Sequence, residues 1–398
     1  MDVVKRKHSG RLGVKRVTQR GPRPQPSPRA AVGAPEDPNI VAAGLLHDMA
    51  LLQRNERSRF GYKRAAKMVA AGIDRSVRDL VEDGALRDVP YVGPASARII
   101  AELVGAGESA TVTAAVAAST SRAEVEKRRH FRRAYLSRYA MRRALEAPLN
   151  PAIVSRGPYR GDLQMHSTWS DGVEPIASLA DAAIALGYTR IGMTDHSYGL
   201  PIAAGMSMAA AVRQHAEIDA INAQFAGRLR IYKGIEANIL ADGSLDLSRD
   251  ERRVFEFVIA SPHSLLRRGE DQTSRMLGAV RQPGVAILGH PQGRMYNSRP
   301  GVTADWRRVF REAAARGVAV ELDGNWHRQD IDYDLARVAL DEGCLFALDS
   351  DAHSIGELPF TDYSIAHARI AGVPADRVVN CWDERRFDQW LRERSAAR

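Results

Sequence analysis

The chain has 398 residues, of which 26% are charged and 44% hydrophobic, and its formal net charge is +9. That length exceeds the roughly 100–200 residues of one domain, so two folded units are expected, with cores large enough to need no stapling. No apolar run is long enough to span a membrane, the basic N-terminus has no secretory apolar stretch behind it, and Cys344 and Cys381 give no disulfide framework. A cytoplasmic protein with no membrane partner is expected.

The first thirty residues carry Lys5, Arg6, Lys7, Arg11, Lys15, Arg16, Arg20, Arg23 and Arg29 against Asp2, and residues 1–38, rich in Pro, Gly and Ser, are expected to be a disordered basic arm. From Pro38 the pattern turns helical. Ile40, Val41, Leu45, Leu46, Met49 and Leu52 fall on one stripe, and breaks at Gly61, Gly72 and Gly84 predict a compact all-helical domain over 39–120. Residues 121–156 read as a basic helical linker, with Lys127, Arg128, Arg129, Arg132, Arg133, Arg138 and Arg142, stopped by Pro148, Pro151 and Pro158. Such basic runs attract polyanions by counterion release, or are solvated faces.

From residue 157 onward short apolar runs alternate with helical stretches, the βα pattern of a parallel sheet or barrel. Strands are predicted at 161–166, 190–195, 230–236, 254–261, 285–290, 317–323 and 344–349, with a further candidate at 377–380. Helices are predicted near 174–186, 207–225, 271–281, 303–315, 331–342 and 358–370. This number of units suits a closed barrel better than an open sheet.

Polar residues fall at the strand ends. They are Gln164, His166 and Asp171; Asp195 and His196; Glu236; His263; His290; Glu321, Asp323 and Asn325; and Asp349, Asp351 and His353. In βα barrels that rim is where active sites are built. A lone His after a strand is more often a satisfied loop or core residue, and Asp or Asn beside Gly often makes a turn. The joint pattern is what points to metal. Imidazoles mixed with carboxylates suit Zn, Mn or Fe, and so many donors suit two or three divalent ions that activate water and clamp a phosphoryl oxygen. Arg294 and Arg328 offer guanidinium forks for a phosphate, or equally a salt bridge at the rim.

The segments GDLQMHSTWSDG, MTDHS, KGIEANI, ASPHS, LGHPQGR and LDSDAHS, in this order, resemble the successive motifs of the PHP (polymerase and histidinol phosphatase) superfamily over residues 159 to about 371. The resemblance implies an α/β fold, a distorted seven-stranded βα barrel with a trinuclear metal centre that hydrolyses phosphate esters. It implies ligands at His166, Asp171, His196, Glu236, His263, His290, Asp351 and His353, with Glu236 bridging ions and metal-activated water as nucleophile. The usual His-x-His opening is altered here, because its first position is Gln164, a weaker ligand than imidazole.

Residues 89–100, VPYVGPASARII, resemble a helix-hairpin-helix motif, in which Val92, Gly93, Pro94, Ala95 and Arg98 would grip a DNA phosphate without reading sequence. The usual first hairpin Gly is Tyr91 here, and the plain alternative is an ordinary helical turn. RFGYKRAAKMV and VRDLVEDGALRDVPYVGPASARIIAEL extend the resemblance to the N-terminal DNA-binding domain of bacterial X-family DNA polymerases, which also carry a PHP domain. Those enzymes place a polymerase palm between the two parts. Here residues 121–156 lead straight into the barrel, so no nucleotidyl transfer is expected. The expected function is hydrolysis at DNA ends in repair, as a 3′–5′ exonuclease or 3′-phosphatase. The alternatives are a small-molecule phosphatase of histidinol-phosphate or nucleotide type, and a DNA-binding protein with a degenerate PHP domain.

Overall fold

The computed structural model describes residues 36–148 and 150–396, so nearly all of the expected basic arm lies outside the described residues. Among the described residues no single helix is long and apolar enough to cross a membrane. The helical part begins with α1 (Pro38–Leu52), α2 (Glu56–Ala71), α3 (Val77–Glu82), α4 (Pro94–Ala106) and α5 (Ala110–Ala117). Each start is written in the sequence. Asp37, Asn55, Ser76 and Ser109 accept backbone N–H bonds as N-caps, and Pro94 opens α4. Gly61, expected to break a helix, lies inside α2. A glycine there costs about 1 kcal/mol of helix propensity, which burial of Ala65, Ala66 and Val69 against the helical core outweighs. Leu46, Ile99, Ile100 and Val112 complete that core.

The basic run 122–143 is not one helix. It forms α6 (Arg122–His130) and α7 (Arg138–Glu146), separated by a turn in which Ala134 has φ 54°. The two helices face different neighbours. From α6, Arg129 Nε donates to Asp48 at 2.8 Å, and Arg132 of the following turn pairs with the same buried carboxylate. α7 buries Ala140, Met141 and Ala144 against Tyr363, Ala366 and Ile370. Arg138 and Arg142 both pair with Asp74. The segment expected to be a linker is therefore packed at both ends, and much of its charge is already matched.

The α/β part continues with α8 (Ile176–Ala185), β1 (Arg190–Met193), α9 (Met208–Gln224), β2 (Arg230–Asn238), α10 (Arg249–Arg252) and β3 (Phe257–Ser261). Then come α11 (Thr273–Val280), β4 (Val285–Leu288), α12 (Trp306–Arg316), β5 (Ala319–Asp323), α13 (Tyr333–Asp341), β6 (Leu345–Asp349), α14 (Thr361–Ala371) and α15 (Glu384–Ala396). The strands form one parallel sheet in the order β1 to β6. Among the described residues the sheet has six named strands, where seven were expected. Residues 161–166 make no named strand, yet Met165 bridges in parallel to Met193 on one side and Ala352 on the other. His166 N donates to the Ala352 carbonyl at 2.9 Å and Thr194 N to the Met165 carbonyl at 3.0 Å, so this segment joins the two edges of a curled sheet. Gly192 permits the approach, since a Cβ there would meet the Leu163 carbonyl oxygen at 2.6 Å. The candidate strand at 377–380 is instead a pair of short 3-10 turns.

Alternation along the strands decides which residues face the site. Val258 and Ala260 of β3, Val320 and Leu322 of β5, and Phe346 and Leu348 of β6 pack into the large core with the surrounding helices. The intervening Phe257, Ile259, Ala319 and Ala347 pack instead with Phe387, Trp390 and Leu391 of α15. Towards the strand ends that inner row becomes Glu321 and Asp323 in β5 and Asp349 at the end of β6, with Asp351 just beyond it. One face of the sheet thus turns from apolar to acidic towards its C-terminal rim.

Candidate metal centre

The eight ligand-type residues singled out in the sequence, with Gln164, come together on this rim. Glu236, fully buried at the end of β2, is the hub. Its Oε2 lies 2.9 Å from His196 Nδ1 and 3.6 Å from His166 Nε2, and its Oε1 lies 2.9 Å from His290 Nε2 and 3.5 Å from His263 Nε2. His166 Nε2 is 3.2 Å from Asp351 Oδ1, and Asp171 Oδ1 is 3.3 Å from His353 Nε2 and 3.6 Å from His196 Nε2. Three subsets each bring their donor atoms within 4.8 Å: His166, Asp171, His196 and His353; His196, Glu236 and His263; and His166, Glu236 and Asp351. Glu236 and the two shared histidines connect these subsets.

The donors fit divalent ions. Both ring nitrogens of His166 and of His290 and Nε2 of His263 are buried without a hydrogen-bond partner among the described residues. Leaving so many polar atoms unpaired costs on the order of 1–3 kcal/mol each, and coordination removes the penalty. Imidazole with carboxylate is the donor mixture of Zn, Mn or Fe. Gln164 turns its amide nitrogen to Glu236 Oε1 at 3.0 Å and Asp351 Oδ1 at 3.4 Å, so the position of the altered residue is inside the cluster.

Residues behind the cluster fix its orientation. Asn238 Oδ1 sits 2.6 Å from His263 Nδ1, and the Asp351 carbonyl 2.9 Å from His353 Nδ1, which leaves each Nε2 facing the site. Asp195, a candidate donor by position, is occupied otherwise. It accepts from Ser167, Ser170 and Gln214 and so braces the loop that carries His166 and Asp171. Sequence reasoning passed over Asn238 and Gln214. Asn238 had a signal, since it follows Glu236 by two on one strand and shares its face.

The charges are unequal. Burial would raise the Asp351 carboxyl, but Arg328 at 3.4 Å and His166 hold it well below the carboxylate range. Burial together with the Arg328 charge lowers His290 to about 4, so this ring is neutral at pH 7. Burial disfavours the charged His353 ring as well, yet its hydrogen bond to Asp171 and the charge of Asp351 push it up to about 9. A pKa raised above 7 means that the metal-free ring carries a proton at pH 7 and must lose it to ligate. Metal uptake at pH 7 is therefore expected to release protons, and apparent affinity to climb with pH until about 9. Calorimetric titrations in buffers of different ionisation enthalpy measure the release. A buffer-independent heat at pH 7 would contradict it.

The remaining predicted residues divide. Arg328 faces the cluster and pairs with Asp351 at 3.4 Å, whereas Arg294 does not reach it. The Arg294 guanidinium pairs with Asp332, donates to the Arg133 carbonyl at 2.8 Å and lies 3.9 Å from the Tyr135 ring centroid. Its fork is occupied in docking the turn between α6 and α7, which is the salt-bridge alternative that the sequence left open. In the helical part Gly93 caps α4 with Pro94 in its first turn, and Pro94, Ala95 and Arg98 are exposed. Val92 is buried in the helical core, which leaves only its backbone for an external contact. Tyr91 holds φ 68°, the left-handed conformation that explains why a glycine commonly stands there.

Residues 162–322 match the family described as PHP domain. Over 229 residues the chain is 35% identical to "DNA polymerase/3'-5' exonuclease PolX" of Bacillus subtilis, covering 57% of this chain and 40% of that protein. It is 26% identical over 236 residues to a "Probable phosphatase" of Syntrophotalea carbinolica, covering 55% of this chain and 90% of that one. A histidinol phosphate phosphatase from Lactococcus lactis, solved with zinc, L-histidinol and phosphate, aligns with a TM-score of 0.41 at 20% identity, over 53% of this chain and 94% of that chain. The chain thus spans well under half of the Bacillus relative and most of the phosphatase relative. From the ordered motifs, the parallel α/β sheet and the match over residues 162–322, the conclusion is that this chain carries a PHP domain.

Proposed function

We propose that the chain is a metal-dependent phosphoester hydrolase acting on DNA ends, as a 3′–5′ exonuclease or a 3′-phosphatase. The observation that carries the hydrolase reading is Glu236 at the centre of four imidazoles, with Arg328 beside the same carboxylate cluster. In this reading residues 39–120 are a helix-hairpin-helix DNA-binding domain, 121–156 connect, and 157–398 are the phosphoesterase domain. Two or three divalent ions, when bound, supply an acidified water and neutralise charge on a phosphoryl oxygen. His166, His196, His263, His290, His353, Asp171, Glu236 and Asp351 would hold them. Glu236, whose two oxygens face different histidines, holds two donor groups in register. Asn238 keeps His263 Nε2 aimed inward, and Arg328, fixed by Asp351, presents its other N–H groups to an oxygen of the phosphate.

The similarity to the Bacillus exonuclease and the hairpin at Val92–Ala95 favour DNA as substrate. A small-molecule phosphatase is the second reading, favoured by the coverage of 90% of the Syntrophotalea protein. Full-length protein assayed side by side on 3′-labelled oligonucleotides, 3′-phosphorylated oligonucleotides and p-nitrophenyl phosphate separates them. Hydrolysis of the small ester with no action on either DNA overturns the DNA reading. No hydrolysis of any substrate with Zn, Mn or Fe overturns the hydrolase.

Gln164 provides a further test. As placed, its amide donates to two carboxylates, whereas ligation requires the opposite face of the amide to turn inward and forfeits both hydrogen bonds. Gln164→His is therefore expected to raise metal content per chain after dialysis, and activity at limiting metal. Identical metal content in the two proteins would show that the position does not limit binding.

A further inference from the structure

Most of the charge that the sequence concentrates at 122–143 is matched within the structure. In the basic run, Arg128 pairs with Glu124, Arg129 with Asp48 and Glu126, Arg132 with Asp48, and Arg138 and Arg142 with Asp74. On α2, by contrast, Lys63, Arg64 and Lys67 form no ion pair with any described residue, and all are exposed. With Phe60 they are spaced 60, 63, 64 and 67, the i, i+3, i+4, i+7 pattern of one helix face.

Each of these cations lies near an aromatic ring. Lys63 is 5.8 Å from the Phe60 centroid, Arg64 is 5.8 Å from Tyr91 and Lys67 is 5.8 Å from Trp326. Phe60 and Tyr91 are 49% and 61% exposed. The succession has direction. Tyr91 belongs to the hairpin, and Trp326 belongs to the loop after β5, two residues before Arg328, which touches Asp351 of the metal centre. Beside Tyr91, residues Arg64, Lys67, Met68 and Gly72 line an open groove of about 320 Å³.

We infer that this face of α2, continued by Trp326, is a track for single-stranded DNA that leads from the hairpin to the metal centre. The inference rests on the reading of the substrate as a DNA end. Unmatched cations supply phosphate contacts, and exposed rings offer faces on which unpaired bases stack. The combination is the chemistry of single-strand binding without sequence preference. A duplex hides its base faces and would use the cations alone, so the rings select the single strand.

The test uses the full chain and a fluorescein-labelled oligonucleotide, with anisotropy read at several salt concentrations. Arg64→Ala/Lys67→Ala is expected to bind single-stranded DNA at least tenfold more weakly. The slope of log affinity on log salt should fall by about 1.4, or about 0.7 per lost phosphate contact on a single strand. Tyr91→Gly, which suits the left-handed backbone and so spares the fold, is expected to weaken binding roughly tenfold by removing one stacking face. Hydrolysis of p-nitrophenyl phosphate should be unchanged in both variants. Wild-type affinity and salt slope in both variants would overturn the track, as would wild-type protein that prefers duplex to single strand. Wild-type protein that binds single strands as described but never cleaves them would leave the track standing and overturn only the DNA-end hydrolase.

Discussion

Asp351→Ala is expected to lower kcat/KM for phosphoester hydrolysis at least about a hundredfold, with metal content falling in parallel. In barrier terms that is roughly 2.7 kcal/mol or more. Two separate losses add. The carboxylate contacts His166 at 3.2 Å, so one donor subset loses one of its two carboxylates. The same carboxylate is also the closest counter-charge to Arg328, whose guanidinium Asp351 and Asp323 hold firmly in its protonated form. Without Asp351 that positive charge stands against incoming divalent ions. His263→Ala removes a donor without exposing a new charge and should lose less, while still falling well below the wild-type rate. Turnover and metal analysis of the purified variants, with circular dichroism to check the fold, decide the matter. Near-normal turnover and metal content in both would remove the proposed site.

Arg294→Ala is expected to act on stability rather than on the reaction. The guanidinium is buried, pairs with Asp332 and lies close to Asp330, a carboxyl that burial raises to about 6 although Arg294 draws it down. Removing one partner of a buried ionic contact leaves the other charge uncompensated and costs about 3–5 kcal/mol. It also frees the Arg133 carbonyl and the face of Tyr135, and with them the turn that seats α7. A fall in Tm of roughly 5 °C or more is expected, with KM for p-nitrophenyl phosphate little changed. Arg294→Lys keeps the charge but not the fork and should lie between. A large rise in KM with unchanged Tm would return Arg294 to the phosphate site.

Much of this arrangement is readable from spacing alone. The pairs Glu321/Asp323 and Glu236/Asn238 recur at two residues, the strand period, so a shared face follows from the sequence. Most strand and helix positions followed from the alternation of apolar runs with helical stretches, but α10 and α15 were not anticipated. Residues 161–166 are apolar enough for a strand, but only Met165 meets bridge geometry on both sides. Gly61 reads as a breaker, yet the buried alanines beside it hold α2 together.

The residue types at the strand ends, and so the donor chemistry of the centre, were determined by the sequence by itself, because local periodicity is a property of consecutive residues. Contacts between distant segments were decided only by the tertiary structure. Arg294 and Arg328 look alike in sequence, each a guanidinium in a loop after a strand. What separates them is Tyr135 and Arg133, brought from far along the chain, beside one and Asp351 beside the other. In the same way the basic run 122–143 looks like free charge until Asp48 and Asp74 close on it, while Lys63, Arg64 and Lys67 look ordinary until no described acid does. Net charge sums over the chain, whereas the field a ligand meets depends on which charges the fold has already paired.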